Sequence, residues 1–456
     1  MSTFDRHREV LCQIQPVSVV GQVMAVRGLT VSVGDFPAPV GAGCRILRAG
    51  GELEARVIGF WGDQTLVMPL GSTVGICRGN RVECTASEPT VAVGPGLLGR
   101  VVNALGKPID GGGDFGAEAR VPLWPEPIAP MLRRRISEPL ATGVRAIDAV
   151  LTVGRGQRMG VFSGSGVGKS VLLGMISRYT AADVSVIAMI GERGREVRDF
   201  VEKDLGPEGL RRAVVVASTS DEPPLVRVQA GAMATAVAEF FRDQGKDVLL
   251  LMDSLTRLAT AQRQIGLVAG EPPATKGYTP SVFSILPQLL ERSGRTRTGS
   301  ITGFYSVLIE GDDLSDPISE AVRSVTDGHI LLSRELAHRG QYPPVDLLRS
   351  VSRVMDDLIG SSHRAAAREI RRLVALYRDV EDMVNIGAYQ AGSSEEYDHA
   401  VRAMPQIRKF LAQEIFSGEP VTMRQTTEAL LALTRQIGCD SLPARPAVTR
   451  EPAQVT

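Results

Sequence analysis

The segment RMGVFSGSGVGKSV, residues 158–171, decides how the rest of the chain reads. An apolar, strand-like run ends in a glycine-rich turn, and the turn opens directly into a helical pattern. Strand, glycine turn and helix start in that order make a phosphate-binding loop. Gly164, Gly166 and Gly168 let backbone N–H groups turn toward phosphate oxygens, and the helix start adds partial positive charge. Within Ser163-Gly164-Ser165-Gly166-Val167-Gly168-Lys169-Ser170, Lys169 reaches β- and γ-phosphates and the Ser170 hydroxyl can ligate Mg²⁺. Ser163 stands where the strict G-x-x-x-x-G-K-S/T pattern has glycine; the three glycines that follow keep the flexibility the turn needs.

Working outward, apolar runs alternate with helical patterns from about residue 150 to 350. Val184–Ile190 precedes a helical Arg195–Leu205, Ala213–Ala217 precedes Pro224–Gln244, and Val248–Met252 precedes Ser254–Ala269. Ser300–Ile309 and His329–Leu332 add two more strand-like runs. Alternation with continuous apolar strands predicts a parallel sheet covered on both faces. Two acidic positions then gain meaning. Asp253 ends the run Val248–Met252 and fits a carboxylate that holds Mg²⁺ beside the phosphates. The stretch Gly191-Glu192-Arg193-Gly194-Arg195-Glu196 also ends a strand, where a carboxylate can orient water and an arginine can hold a γ-phosphate; a salt-bridged turn is the alternative. Glu310–Asp313 ends another strand and is a candidate support for the Mg²⁺ shell.

On either side lie different patterns. Residues 19–95 hold short alternating runs with glycine turns, which predicts a small β-barrel or sandwich. Residues 96–125 read as a connector. Residues 362–436 read as helical, with Ile370, Leu373, Val374 and Tyr377 on one face and Arg364, Arg368, Arg371, Arg372 and Arg378 on the other. The domain expectation is therefore 1–18 N-terminal segment, 19–95 barrel, 96–360 α/β core with its connector, 361–437 helical domain and 438–456 tail. Phe4, Val10, Leu11 and Ile14 would give residues 1–18 an apolar, partner-binding helix face.

Composition narrows the function classes. In 456 residues, Lys+Arg and Asp+Glu are both 51, so the formal net charge is zero, and aromatics are 5%. Neither favours a nucleic-acid coat or a base-stacking surface, so no nucleic acid is expected as partner. Only six of the basic residues are lysines, which draws attention to Lys169, and to Lys276 in the loop EPPATKGY (271–278). Five scattered cysteines without metal spacing predict reduced thiols and a cytoplasmic protein. No run approaches the ~18 apolar residues of a membrane span, and the N-terminus lacks a signal-peptide pattern.

The motifs GSGVGKS (164–170), GERGRE (191–196), LMDSLTR (251–257), EPPATKGY (271–278) and SVSRV (350–354) together resemble the rotary-ATPase superfamily, and within it the type III export ATPases. The resemblance spans about residues 18–436. It implies a RecA-like P-loop core with a parallel sheet, preceded by a small β-barrel and followed by a helical domain. It implies that Ser163 to Val171 bind ATP/ADP phosphates, that Ser170 and Asp253 hold Mg²⁺, and that Arg257 contacts the γ-phosphate. Tyr342, in GQYPPVD (340–346), falls where the F-type beta subunit stacks an aromatic ring on adenine. Glu192 matches that subunit's catalytic carboxylate, with Lys169 and Arg193 contacting phosphate beside it. Arg353 matches the arginine finger that the alpha subunit lends to its neighbour. Phe410–Phe416 aligns only roughly with a second adenine-pocket aromatic, and Gly387–Ala400 with a rotor-contacting segment.

In the heteromeric synthase the catalytic Glu and the finger Arg lie on different polypeptides; here one chain carries both. That predicts a homo-oligomer, by likeness a homohexamer, energising export of flagellar proteins. The implied partners are a peripheral-stator-like regulator, a central-stalk protein, export chaperone–cargo complexes and the membrane export gate. The implied place is the cytoplasmic side of the inner membrane, at the export apparatus. An injectisome ATPase, a proton-translocating synthase subunit, a Rho-type RNA translocase and a non-enzymatic nucleotide-binding subunit are the alternatives.

Overall fold

The structure, a computed structural model, describes residues 19–309, 314–414 and 420–438. The N-terminal segment 1–18, Glu310–Asp313, the end of Phe410–Phe416 and the tail from 439 lie outside the described residues.

Six antiparallel strands come first: β1 (Val20–Arg27), β2 (Thr30–Gly34), β3 (Gly43–Arg48), β4 (Gly51–Trp61), β5 (Gln64–Pro69) and β6 (Arg81–Ala86). They close into a barrel in the order β1-β2-β5-β4-β3-β6, with β6 returning to β1. Period-two alternation explains the closure. Leu53, Ala55 and Val57 of β4 are buried while Glu52 and Glu54, at alternate positions, face water. Val23, Val31, Val33, Ile46 and Val67 fill the interior with them.

Beyond the barrel come β7 (Thr90–Val93), β8 (Arg100–Asn103), β9 (Ala119–Pro122), β10 (Pro139–Leu140) and β11 (Val153–Gly154). Then follow β12 (Arg158–Ser163), β13 (Val184–Glu192), β14 (Ala213–Thr219), β15 (Asp247–Asp253), β16 (Gly294–Arg295), β17 (Ser300–Leu308), β18 (Gly328–Leu332) and β19 (Val351–Ser352). The central sheet runs β19-β18-β12-β17-β15-β13-β14-β8, parallel except for β19 and for β16, which flanks β17. The expected connector thus supplies an edge strand, β8, paired with β14 through Val101↔Val215. Four residues beside Gly99 carry too short a pattern to announce a strand whose partner lies more than a hundred positions away.

The inner strands are apolar throughout because both faces are covered; every residue of β13 is buried. Ile187, Leu249 and Leu251 face a core shared with the helix Lys169–Tyr179 and with the C-terminal helices. Val186, Leu250 and Met252, one residue out of phase, face the helices Pro224–Asp243, Leu255–Val268 and Pro280–Leu290. The C-terminal helices Ser361–Asn385, Glu395–Leu411 and Met423–Gln436 rest on the short helix Arg145–Val150. The arginine face of the first is partnered rather than bare: Arg378 pairs with Asp346 at 3.2 Å and Arg368 with Asp356 at 2.9 Å. No helix among the described residues is long and apolar enough to cross a membrane.

Candidate active site

Because β12, β17, β15 and β13 are parallel neighbours, Ser163, Asp253 and Glu192 all end on the same sheet edge. That edge is where ligands bind in open α/β sheets. The loop between β12 and the helix Lys169–Tyr179 takes left-handed backbone at Gly166 (φ 76°) and Gly168 (φ 91°), which side chains resist. Gly168 starts the helix with no side-chain cap, leaving first-turn N–H groups for an anion. Gly164 and Val167 are buried, Ser165 and Ser170 exposed, and Val171 packs partly into the core. Ser163 is fully buried, and its Oγ makes no hydrogen bond within the chain. A Cβ added at Gly168 would lie 3.7 Å from the ring of Tyr342, which is 43% exposed. An uncapped helix start, two glycines in left-handed backbone and a hydroxyl on the first turn fit a nucleotide phosphate with its Mg²⁺.

The buried Lys169 Nζ pairs with Asp253 Oδ1. The same oxygen accepts from Ser306 Oγ at 2.7 Å. Ser306, on β17, was not legible as a site residue; only the register Met252↔Tyr305 brings it beside Asp253.

Glu192 is 5% exposed. Arg257 Nη1 forms an ion pair with its carboxylate and donates to the Gly191 carbonyl at 2.8 Å. Burial first, then a hydrogen bond with Glu196 and the charge of Asp253, push the Glu192 carboxyl up to about 7, against Arg257 and Lys169. Glu196 moves the opposite way through the same hydrogen bond. A carboxylate that titrates near the working pH suits a general base. Its sign is testable. The base form grows as pH rises, so kcat/KM for ATP, which reports the free enzyme, should climb through about pH 7 and then level. A profile flat from pH 5.5 to 8 would remove Glu192 from that role.

The remaining expected residues divide. Arg193 directs its side chain outward, 80% exposed, with Nη1 3.4 Å from Glu196. Tyr342 stays at the loop, its carbonyl accepting from Gln413 N at 2.9 Å. Gln413, inside the Phe410–Phe416 segment but not itself singled out, also donates to Gly143 O at 2.8 Å and so ties the C-terminal segment to the nucleotide side. Lys276 pairs with Asp316 at 3.4 Å.

Arg353 sits elsewhere. It is exposed, follows β19, and its N–H bonds Asp327 O at 2.9 Å. Asp327 N in turn bonds Arg158 O, at the start of β12. The phosphate loop leaves the other end of that strand, five residues on, about 16 Å away at ~3.3 Å per residue.

Comparison with known proteins gives a consistent picture. The ATP synthase alpha/beta family, nucleotide-binding domain, matches residues 143–352, and the T3SS EscN ATPase C-terminal domain matches residues 359–432. A flagellum-specific ATP synthase of Treponema pallidum is 52% identical over 431 residues, 94% of this chain and 96% of that one. A type 3 secretion system ATPase of Xanthomonas euvesicatoria is 49% identical over 399 residues, 87% and 89% of the two chains. Among solved structures, the assembled ATPase EscN of the enteropathogenic E. coli type III secretion system matches with a TM-score of 0.85 at 42% identity, covering 91% of this chain and 99% of that one. EscN in complex with its central stalk EscO matches at 0.84 and 41% identity, with the same coverage.

Proposed function

This chain belongs to the ATP synthase alpha/beta family, in its type III export branch, and from that premise we propose a ring of identical copies in which each ATP site is finished by Arg353 of the next copy. The chain is an ATPase of type III protein export, and its kinship with flagellum-specific ATP synthases gives it the export of flagellar proteins.

The chemistry follows from the residues at the sheet edge. N–H groups of Gly164 to Ser170 hold the phosphates of ATP. Lys169 exchanges Asp253 for phosphate oxygens, and Ser306 keeps that aspartate in place meanwhile. Ser170 and Asp253 would hold Mg²⁺, which when bound supplies charge neutralisation between the terminal phosphates. Glu192 orients the attacking water and takes its proton at the carboxylate. Arg257 fixes that carboxylate from the helix Leu255–Val268. Tyr342 offers a ring face to the adenine base. Arg193, outward-facing in the isolated chain, is available to phosphate only after its turn rearranges.

One observation carries the proposal: catalytic carboxylate and finger arginine share a chain, yet Arg353 lies at the far end of β12 from its own phosphate loop. In the proposed ring of six, a head-to-tail interface brings that end against the neighbour's site. A central stalk is a proposed partner of such a ring; the similar EscN has been solved assembled and in complex with its central stalk EscO. A stator-like regulator, chaperone–cargo complexes and the export gate at the inner membrane complete the proposed partners.

Mixing two inactive variants tests the shared site. Rings formed from equal amounts of Glu192→Gln and Arg353→Ala subunits contain interfaces with an intact Glu192 facing an intact Arg353. Random assembly makes these about a quarter of all interfaces, so ATPase activity should return to about a quarter of normal. If the mixture stays as inactive as its components, with mixed rings verified by mass, the two residues do not serve one site across an interface.

A further inference from the structure

A cavity of about 580 Å³ opens where the barrel meets the α/β core, away from the phosphate loop. That is the size of a small-ligand site. Ile58 of β4, Val228, Ile285 and Trp124 give it apolar walls; Arg56 and Gln229 are among its polar ones, with the exposed Glu88 also lining it.

Two of its polar atoms are left over. Gln229 is 6% exposed, and its Oε1 makes no hydrogen bond within the chain. Arg56 is largely buried, its Nε is likewise unbonded, and no carboxylate pairs with it among the described residues. Burial pulls the Arg56 guanidinium below its ordinary pKa. Two other arginines withdrawn from water have a carboxylate, Arg292 with Glu239 at 2.5 Å and Arg158 with Asp327 at 3.2 Å, and others, such as Arg212 and Arg371, donate to backbone carbonyls instead. A guanidinium taken from water without an anion, beside a carboxamide oxygen without a donor, costs stability unless something else supplies both.

We propose that this cleft binds a small organic acid: a carboxylate on Arg56, a hydroxyl or N–H donor for Gln229 Oε1, and an apolar body against Trp124, Ile58, Val228 and Ile285. The assignment rests on neither Glu192 nor Arg353, so it stands or falls apart from the hydrolysis reading.

Trp124 provides the readout. The chain has two tryptophans, and Trp61, 64% exposed on β4, can be changed to phenylalanine to leave Trp124 alone. The probe is 2-hydroxy-4-methylpentanoate, which does not absorb with tryptophan, and its neutral amide is the control. In full-length Trp61→Phe protein the acid should change Trp124 emission saturably, and the amide should bind about tenfold more weakly or worse, since only the acid makes a charge-assisted bond. Adding Arg56→Met should bring the acid down to the amide's affinity; Gln229→Met should weaken the acid severalfold. Both variants should melt no lower than the parent, because each removes an unmatched buried group. Equal binding of acid and amide to the Trp61→Phe chain, a comparison that needs no change in the cleft, would overturn the proposal, as would unsaturable binding. Loss of acid binding at protein concentrations where rings form would also overturn it, and would give the cleft to a neighbouring copy.

Discussion

Replacing Arg353 by alanine should leave ATP binding near normal and lower turnover by about 10³-fold or more, the usual worth of an arginine finger. The side chain is exposed, and the hydrogen bond to Asp327 O is made by the backbone N–H, which alanine keeps. The fold should therefore change in stability by no more than about 0.5 kcal/mol, as for other surface positions. Nucleotide binding should persist because the residue is remote from the phosphate loop of its own chain. Lysine at this position should recover little, since it restores the charge but not the planar fork that grips phosphate. The measurement is steady-state ATPase on assembled rings, with nucleotide affinity determined separately. Normal turnover by assembled Arg353→Ala rings would end the finger assignment.

Glu192→Gln should bind ATP and hydrolyse it about 10²–10⁴-fold more slowly, the range lost with a general base. Glutamine keeps the shape and an oxygen for Arg257 but can neither take a proton nor carry charge. Single-turnover chemistry should slow as much as the steady state; unchanged single-turnover rates would show that the residue governs product release instead. Thermal unfolding gives a second readout. The Glu192 carboxyl is raised in the fold to about 7, so the folded chain holds its proton more tightly than the unfolded one. Stability contributed by that proton is present below the unfolded value near 4.5 and is lost as pH rises through 7. Glutamine has no such loss. The variant should melt above the parent at pH 8, with the gap closing as pH falls toward 4.5. A site that gives up stability in this way is a common mark of function.

The parts of this molecule that sequence revealed are local ones. The phosphate loop is a contiguous strand, turn and helix, so its chemistry is written in order. The helix Ser361–Asn385 announced itself because Ile370, Leu373 and Tyr377 recur at helical spacing and all three are buried. What sequence hid depends on register between distant segments. Nothing near Ser306 says that it will bond Asp253, and nothing near Gln413 says that it will hold Gly143. Arg193 shows the converse. It adjoins Glu192 in the chain, but the strand ends between them and the turn sends one side chain inward and the other to water. Likeness to the alpha and beta subunits named Arg353; only the direction of β12 and β18 shows that it lies at the end of the sheet opposite its own loop.

The N-terminal strands return upon themselves, β6 to β1, and this bears on how copies meet. Among the described residues every barrel strand has a partner on each side, so the barrel itself exposes no ladder of spare amides for another chain to extend. Neighbours meeting the barrel wall therefore do so through its side chains rather than by extending the sheet. Their union there is open to adjustment by ionic strength and by single surface substitutions, and crowding many copies together should not seed fibrils from this end.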